Sequence, residues 1–317
     1  MHVQYGFAGM PEAATGLTIG AFDGVHLGHQ ALIRWMARGA EQRGWRPWVL
    51  TFDPVPRQVL QGREAQLLSS LEGRLEYLAA LDVAGTVILP FDAALIETPA
   101  EAFVTQLVAR MGMRGLWIGP DFTLGRQREG DVAHLRALGD RRGFEVNVFE
   151  ARVTWDAAPV RSSRIRRALR AGRVAEARGC LGRPYRMDGP VVYGDQRGRV
   201  LGFPTANLDL PAERLRPANG VYICRAHVPQ GSFAAITNVG TRPTFNNRPP
   251  TVEAHLLDFC ADIYGETLQL DFLKRLRPEE KFPSADALIR QMARDEAEAR
   301  AWFRARQPKP APVDAFS

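Results

Sequence analysis

Five short apolar runs punctuate the first half of the chain: LTIGAF (17–22), WVLTF (48–52), GTVILP (85–90), GLWIG (115–119) and FEVNVF (144–149). Each is bounded by Gly or Pro and is too short for a helix, so each reads as a buried strand. Between them the apolar positions follow the helical period. Leu32, Trp35 and Met36 recur at i, i+3 and i+4, and Phe103, Leu107 and Met111 at i, i+4 and i+8. Strands alternating with amphipathic helices predict an α/β domain, a doubly wound parallel sheet with helices on its faces.

Beyond residue 182 the period becomes two. Tyr222, Cys224, Ala226 and Val228 share one face of YICRAHV, and Leu268, Leu270 and Phe272 one face of LQLDFL. Short strands separated by Gly and Pro clusters predict a small antiparallel β-barrel or sandwich. Two helical pieces, 164–171 and 174–181, bridge the halves. A terminal helix capped by Ser284 runs to about Phe303, with Leu288, Ile289 and Met292 on one stripe. The pattern gives domains at 1–182 and 183–306 and a disordered, Pro-rich tail at 307–317.

A length of 317 residues fits two cores better than one, and 45% hydrophobic with 24% charged residues is the composition of a globular protein. No apolar run reaches the roughly 18 residues of a membrane span, and the N-terminus lacks a signal-peptide pattern. The expectation is a cytoplasmic protein without membrane partners. Cys180, Cys224 and Cys260 lie far apart without CxxC spacing, so free thiols are expected rather than zinc ligands or disulfides. The net charge of +6 raises the possibility of a polyphosphate partner, but acidic residues are scattered among the cations and no basic tract alternates with aromatics. No nucleic-acid partner is expected. The only lysines are Lys274, Lys281 and Lys309, which excludes a P-loop and a protein-kinase motif in the first half.

GAFDGVHLGH (20–29) holds the first candidate chemistry. A zinc site at His26 and His29 would need further ligands at typical spacing, and none is nearby. A pair of core histidines is the stronger plain alternative. Position favours phosphate: the segment follows the first strand and opens the first helix, where doubly wound sheets bind nucleotides. Gly20, Gly24 and Gly28 permit close backbone approach, and the helix start offers free N–H groups to an anion.

HLGH resembles the HxGH signature of the nucleotidylyltransferase superfamily. The longer string TIGAFDGVHLGHQAL is similar to the N-terminal motif of bacterial FAD synthetases, the bifunctional riboflavin kinase/FMN adenylyltransferases. RSSRIRRAL (161–169) resembles that family's SSTxxR segment and maps Ser162, Ser163 and Arg166 onto it. WIGPDFTLGRQREGD (117–131) resembles its GxDFxFG stretch, with Asp121 near the nucleotide or flavin phosphate, and TFDPVPRQVL (51–60) resembles its FxPxP loop. The resemblance implies that His26, His29 and Arg166 carry adenylyl transfer, with Gly20, Phe22, Asp23, Gly28, Asp121, Ser162 and Ser163 binding nucleotide or flavin.

In the second half, GDQRGRVLGFPTANLDL (194–210) resembles the riboflavin kinase signature around GFPTAN, and TVEAHLLDF (251–259) follows in family order. The resemblance implies that Glu253 is the catalytic base, that Gly202, Pro204, Thr205 and Asn207 bind nucleotide or flavin, and that Thr205 and Asn207 hold Mg²⁺. On a strand, Glu253 and His255 point away from Val252, Ala254 and Leu256, so a carboxylate faces a cleft while its neighbours fill a core. The chain departs from the family pattern at Ala21, Val55, Leu124, Arg161 and Ser163, all in the first half.

The expected activity is phosphorylation of riboflavin by ATP to FMN, followed by AMP transfer from a second ATP to give FAD and pyrophosphate. Mg²⁺ is the expected cofactor, and a monomer or weak homo-oligomer the expected state. A class I aminoacyl-tRNA synthetase fragment, which needs a lysine-rich loop, is the first rival. A nucleic-acid-binding module resting on charge is a second, and a first domain serving another nucleotidyl acceptor, or none, is a third.

Overall fold

The computed structural model describes residues 1–8, 13–194, 202–240 and 250–306. The chain divides into two compact units. One comprises Met1–Arg167, Arg178–Arg183 and Ala212–Leu215; the other comprises Ala168–Ala177, Pro184–Pro211 and the described residues from Arg216 onward.

The first unit is built on six parallel strands: β1 (His2–Tyr5), β2 (Thr15–Ile19), β3 (Arg46–Phe52), β4 (Gly85–Leu89), β5 (Met113–Ile118) and β6 (Glu145–Val148), in the spatial order β1-β4-β3-β2-β5-β6. Alternate residues of one strand enter two different cores. Leu50 of β3 and Leu116 and Ile118 of β5 pack with Phe103, Val104 and Leu107 of one helix. Val49 and Trp117, from the same strands, join Ile33, Met36 and Leu78 on the opposite face. Burial on both faces is why these strands read as continuous apolar runs rather than alternating ones. Each such side chain contributes about 1.5–3 kcal/mol by leaving water.

The helices of this unit are α1 (Leu27–Glu41), α2 (Pro56–Gln61), α3 (Leu71–Ala79), α4 (Ala93–Ile96), α5 (Ala100–Met111), α6 (Val132–Arg142), α7 (Ser162–Arg170) and α8 (Val174–Leu181), with the division between units passing through α7 and α8. A two-strand ribbon, β7 (Thr154–Trp155) and β8 (Ala158–Pro159), precedes α7. The five predicted strands are all present. The sixth, β1, escapes the apolar-run criterion because it is a mostly exposed edge strand. The face of α1 is also shifted: Ile33, Met36, Ala37 and Ala40 are buried, while Leu32 and Trp35 lie at the margin of the core. Small residues carry that contact, since Ala40 packs where a Cβ on Gly16 of β2 would stand.

The order of strand addition reverses between β2 and β5, which are parallel neighbours although five helices and two strands separate them in sequence. The crevice beyond their carboxyl ends is therefore the switch point at which such sheets bind ligands.

The second unit is a closed antiparallel barrel of β9 (Tyr185–Val192), β10 (Ala206–Leu208), β11 (Gly220–Val228), β12 (Gly231–Gly240), β13 (Thr251–Leu256) and β14 (Thr267–Arg277), ordered β10-β13-β12-β11-β14-β9. Tyr222, Cys224, Ala226, Leu268, Leu270 and Phe272 fill its interior, as their period of two requires. A terminal helix, α9 (Ala285–Arg304), is capped by the Ser284 hydroxyl, which accepts from the Ala287 N–H at 3.2 Å. Its buried residues are Asp295 and Ala299, whereas Leu288, Ile289 and Met292 are half-buried. Asp295 is tolerated inside because Arg277 meets it with two nitrogens, the shorter bond at 2.8 Å.

Cys180 and Cys224 are buried and Cys260 exposed, all as free thiols. Among the described residues no helix is long and apolar enough to cross a membrane, and no cluster of three His, Cys, Asp or Glu side chains could hold a metal. The tail at 307–317 lies outside the described residues.

Candidate active sites

The segment after β2 leaves the sheet through an unusual turn. Phe22, Gly24 and Val25 have φ of 45°, 76° and 37°, and a β-branched residue in that region costs on the order of 1–3 kcal/mol. Surrounding groups fix the turn. The Asp23 carboxylate accepts from the N–H groups of Leu68 (2.8 Å) and Ser69 (3.1 Å), and the Ser69 hydroxyl accepts from the Gly24 N–H at 3.0 Å. Arg74 of α3, itself buried, donates to the carbonyls of Ala21 (2.9 Å) and Phe52 (2.8 Å), tying the ends of β2 and β3 together. The Thr51 hydroxyl also donates to the Ala21 carbonyl, at 3.2 Å.

The turn delivers His26 as the N-cap of α1. Its Nδ1 accepts from the His29 N–H at 3.3 Å, and the two rings stack with centroids 3.6 Å apart and planes 19° from parallel. Phe22 meets His29 edge-on at 5.3 Å. Gly28 relieves crowding here, since a Cβ would lie 3.1 Å from the His26 ring and push against it. Burial pushes the His26 pKa down to about 4, outweighing a backbone hydrogen bond that raises it, with Arg166 and Arg183 adding to the fall. His29 is driven well below 6.5 by burial, then by His26 and Arg166. Both rings are therefore neutral near pH 7. A neutral imidazole whose Nδ1 accepts carries its proton on Nε2, so His26 presents an Nε2–H donor. His29 Nδ1 is buried with no partner among the described residues.

A cavity of about 360 Å³ brings together segments far apart in sequence: Gly20 to Asp23 and His29 after β2, Asp121 and Phe122 after β5, and Ser162 and Arg166 of α7. An adjoining cavity of about 350 Å³ is lined by Gly28, Leu32, Gly119, Pro120 and Arg161, among others. Asp121 and Ser163 are exposed, with Ser162 between exposed and buried. Two predicted site residues, the binding candidate Asp23 and the catalytic candidate Arg166, have protein partners. Arg166 Nη2 meets Asp23 Oδ2 at 2.6 Å, its Nε donates to the Gln66 carbonyl at 2.8 Å, and both side chains are buried. Asp23 thus holds Arg166 and the 68–69 backbone, and Arg166 reaches the cavity as half of an ion pair rather than as an isolated cation.

In the barrel, Asn207 of β10 and Asn238 of β12 stand directly across from Glu253 of β13 on its two sides, so all three belong to one row. A cavity of about 760 Å³ opens there. Glu253, Thr205 and Asn238 give it a polar wall, and Phe203, Ile236, Phe282, Leu288 and Met292 an apolar one. This use of Leu288 and Met292 explains why the α9 stripe is only half-buried. A second cavity, of about 480 Å³, is lined by Val191, Phe259, Ile263 and Tyr264, and Thr205 borders both. Asn207 is buried, and its Oδ1 has no hydrogen-bond partner among the described residues. Gly202 is exposed with φ of 84°, and the Pro204 carbonyl accepts from His255 Nδ1 at 2.7 Å. The rest of the glycine-rich approach to this site, 195–201, lies outside the described residues.

Sequence reasoning did not identify Arg74, Ser69, Asn238 or Arg277. Asn238 could have been found in ITNVG, where period two sets it on the face opposite Thr237 and Val239.

A family model described as FAD synthetase matches residues 10–164, and one described as riboflavin kinase matches residues 181–303. The chain is 38% identical over 290 residues to a bifunctional riboflavin kinase/FMN adenylyltransferase of Haemophilus influenzae, covering 90% of this chain and 94% of the relative. It is 35% identical over 303 residues to that of Escherichia coli K12, covering 94% and 96%. A solved structure from Streptococcus pneumoniae, described as a macrolide-efflux protein, matches with a TM-score of 0.84 at 30% identity, over 95% of this chain and 100% of that one. With both units matched in order and similarity sustained over nearly its whole length, the chain belongs to the bifunctional riboflavin kinase/FMN adenylyltransferase family.

Proposed function

We propose that the barrel unit transfers the γ-phosphoryl group of ATP to the 5'-hydroxyl of riboflavin, and that the parallel-sheet unit transfers AMP from ATP to the phosphate of FMN, giving FAD and pyrophosphate. The observation that carries the reading is the convergence of His29, Asp121, Ser162 and Arg166 on one cavity at the switch point of the sheet. Its counterpart in the barrel is the apolar-walled cavity beside Glu253, which has the size and surface for a flat aromatic ring system.

In adenylyl transfer, an oxygen of the FMN phosphate attacks the α-phosphorus of ATP, and the bond to the pyrophosphate oxygen breaks. Negative charge on the phosphoryl oxygens is met by the His26 Nε2–H, by N–H groups at the start of α1 and by the Ser162 hydroxyl. A neutral donor pair held rigidly by capping and stacking stabilises that charge without having to reorganise. Arg166 supplies positive charge toward the departing pyrophosphate, while Asp23 sets its orientation. Asp121, exposed at the cavity edge, helps to place the flavin phosphate ester.

In the kinase step, the Glu253 carboxylate accepts the proton of the riboflavin hydroxyl as that oxygen attacks the γ-phosphorus and ADP leaves. Thr205, at the border of two cavities, belongs where nucleotide and alcohol meet. Thr205 and Asn207 would hold Mg²⁺, and the buried, partnerless Oδ1 of Asn207 is the kind of hard oxygen that ion takes. When bound, the ion supplies charge neutralisation at the phosphates. Small-molecule substrates and three free thiols suit a cytoplasmic enzyme that acts without a macromolecular partner.

Incubation with riboflavin, ATP and Mg²⁺ followed by chromatography tests the reading: FMN and then FAD appear. Absence of FMN overturns the kinase assignment, and FMN without FAD overturns the assignment of the first unit.

A further inference from the structure

Arg183 lies between α8 and β9, inside the stretch matched by the riboflavin kinase model, yet it belongs to the parallel-sheet unit. Its Nη2 donates to the Gly24 carbonyl at 2.7 Å, and its Nη1 to the carbonyls of Val25 at 3.1 Å and Leu181 at 3.3 Å. Its guanidinium carbon sits 3.4 Å from the centre of the Tyr77 ring. Gln30 of α1 closes the arrangement, donating at 2.9 Å to both the Val25 and the Leu181 carbonyls. Gly182, with φ of 73°, makes the turn that presents Arg183, and a Cβ there would stand 2.7 Å from Leu27.

Two of the three carbonyls that Arg183 grips belong to the left-handed residues immediately before His26. We infer that Arg183 is a positioning residue for adenylyl transfer: it pins the Gly24–Val25 backbone and, through it, the direction of the His26 ring. The inference deepens the assignment of FAD formation to this unit and rests on it. Arginine suits the task. Its planar fork serves successive carbonyls while its face stacks on an aromatic ring, and a lysine ammonium can do neither together. Apart from Gln30 on the Val25 carbonyl, the turn is held from the side of Ser69 and Arg74, neither of which touches the Gly24 or Val25 carbonyl. Removing Arg183 releases the Gly24 carbonyl and leaves that of Val25 on Gln30 alone, and a displacement of about 1 Å at a reacting group costs on the order of 10²-fold in rate.

The test uses the full chain carrying Arg183→Met or Arg183→Lys, with riboflavin phosphorylation and conversion of supplied FMN to FAD measured on one preparation. For Arg183→Met, kcat for FAD formation falls about 10²-fold while KM for ATP and FMN stays within a few-fold. FMN formation is unchanged, and Arg183→Lys recovers part of the lost kcat. Undiminished FAD formation in the Met variant overturns the inference, as does equal loss of both activities in a folded protein. If the Met variant unfolds at assay temperature, the Lys variant decides: an altered kcat with wild-type melting supports positioning, and wild-type kcat overturns it. A wild-type enzyme that makes no FAD would refute the parent assignment instead, before any variant is compared.

Discussion

His26→Asn separates the two roles assigned to this imidazole. Asparagine is among the best N-caps, so its side-chain oxygen can replace Nδ1 in capping α1, while the Nε2–H and the titrating ring are lost. In the wild type, burial holds the folded-state pKa near 4, against about 6.5 in the unfolded chain. Between these values the unfolded state binds more protons, so stability is full above pH 6.5 and declines as pH falls toward 4. A shift of this size gives a loss of about 2 kcal/mol between pH 7 and pH 5. His29, displaced in the same direction, adds to it. With a urea slope of about 2 kcal/mol per molar, the His26 contribution alone moves the midpoint by about 1 M. Tryptophan fluorescence follows the correct unit, since Trp35, Trp45, Trp48, Trp117 and Trp155 lie in the parallel-sheet unit and Trp302 in the barrel unit. His26→Asn should lose markedly less stability than wild type over this range, and its FAD formation should fall by about 10² with FMN formation intact. An identical pH-dependent loss in both proteins would refute the buried, neutral imidazole.

Three further outcomes are expected. Glu253→Gln removes FMN formation by about 10²–10⁴-fold while supplied FMN is still converted to FAD, as chromatography of each half-reaction will reveal. Arg166→Ala lowers FAD formation by about 10² or more, and it also destabilises the first unit by roughly 3–5 kcal/mol because Asp23 keeps a buried charge without its partner. Denaturant titration of the tryptophan signal checks the second effect, and Arg166→Ala with Asp23→Asn should regain stability but not activity. Asn207→Ala raises the Mg²⁺ concentration needed for half-maximal FMN formation and leaves the Mg²⁺ dependence of FAD formation unchanged.

What could be read from the sequence follows from how each residue is used. Strands buried on both faces announce themselves as apolar runs, and barrel strands with one wet face as alternation; β1, an exposed edge, does neither. The candidate site residues stand in recognisable strings, and the structure brings His29, Asp121, Ser162 and Arg166 to one cavity. The residues holding those strings in shape were illegible. Arg74 and Arg183 act on backbone carbonyls, which have no residue identity to pair with, and each comes from a segment whose pattern says only helix or linker. The pairing of Asp23 with Arg166 was equally out of reach, because 143 residues separate the two in sequence and only the tertiary fold brings the carboxylate to the guanidinium.

The first unit is not continuous in sequence, since Arg178–Arg183 and Ala212–Leu215 complete it. Leu67 exchanges backbone hydrogen bonds with the latter segment, donating to the Glu213 carbonyl at 2.7 Å and accepting from the Leu215 N–H at 3.0 Å. During synthesis the parallel sheet can therefore assemble early, but the braces on its histidine turn and on the loop that holds Asp23 leave the ribosome only later. Those on Leu67 follow two strands of the barrel. A gene divided between residues 170 and 180, in the gap between the two family matches, would give an N-terminal half with every signature string of the first unit but without Arg183 or the segment that pairs with Leu67.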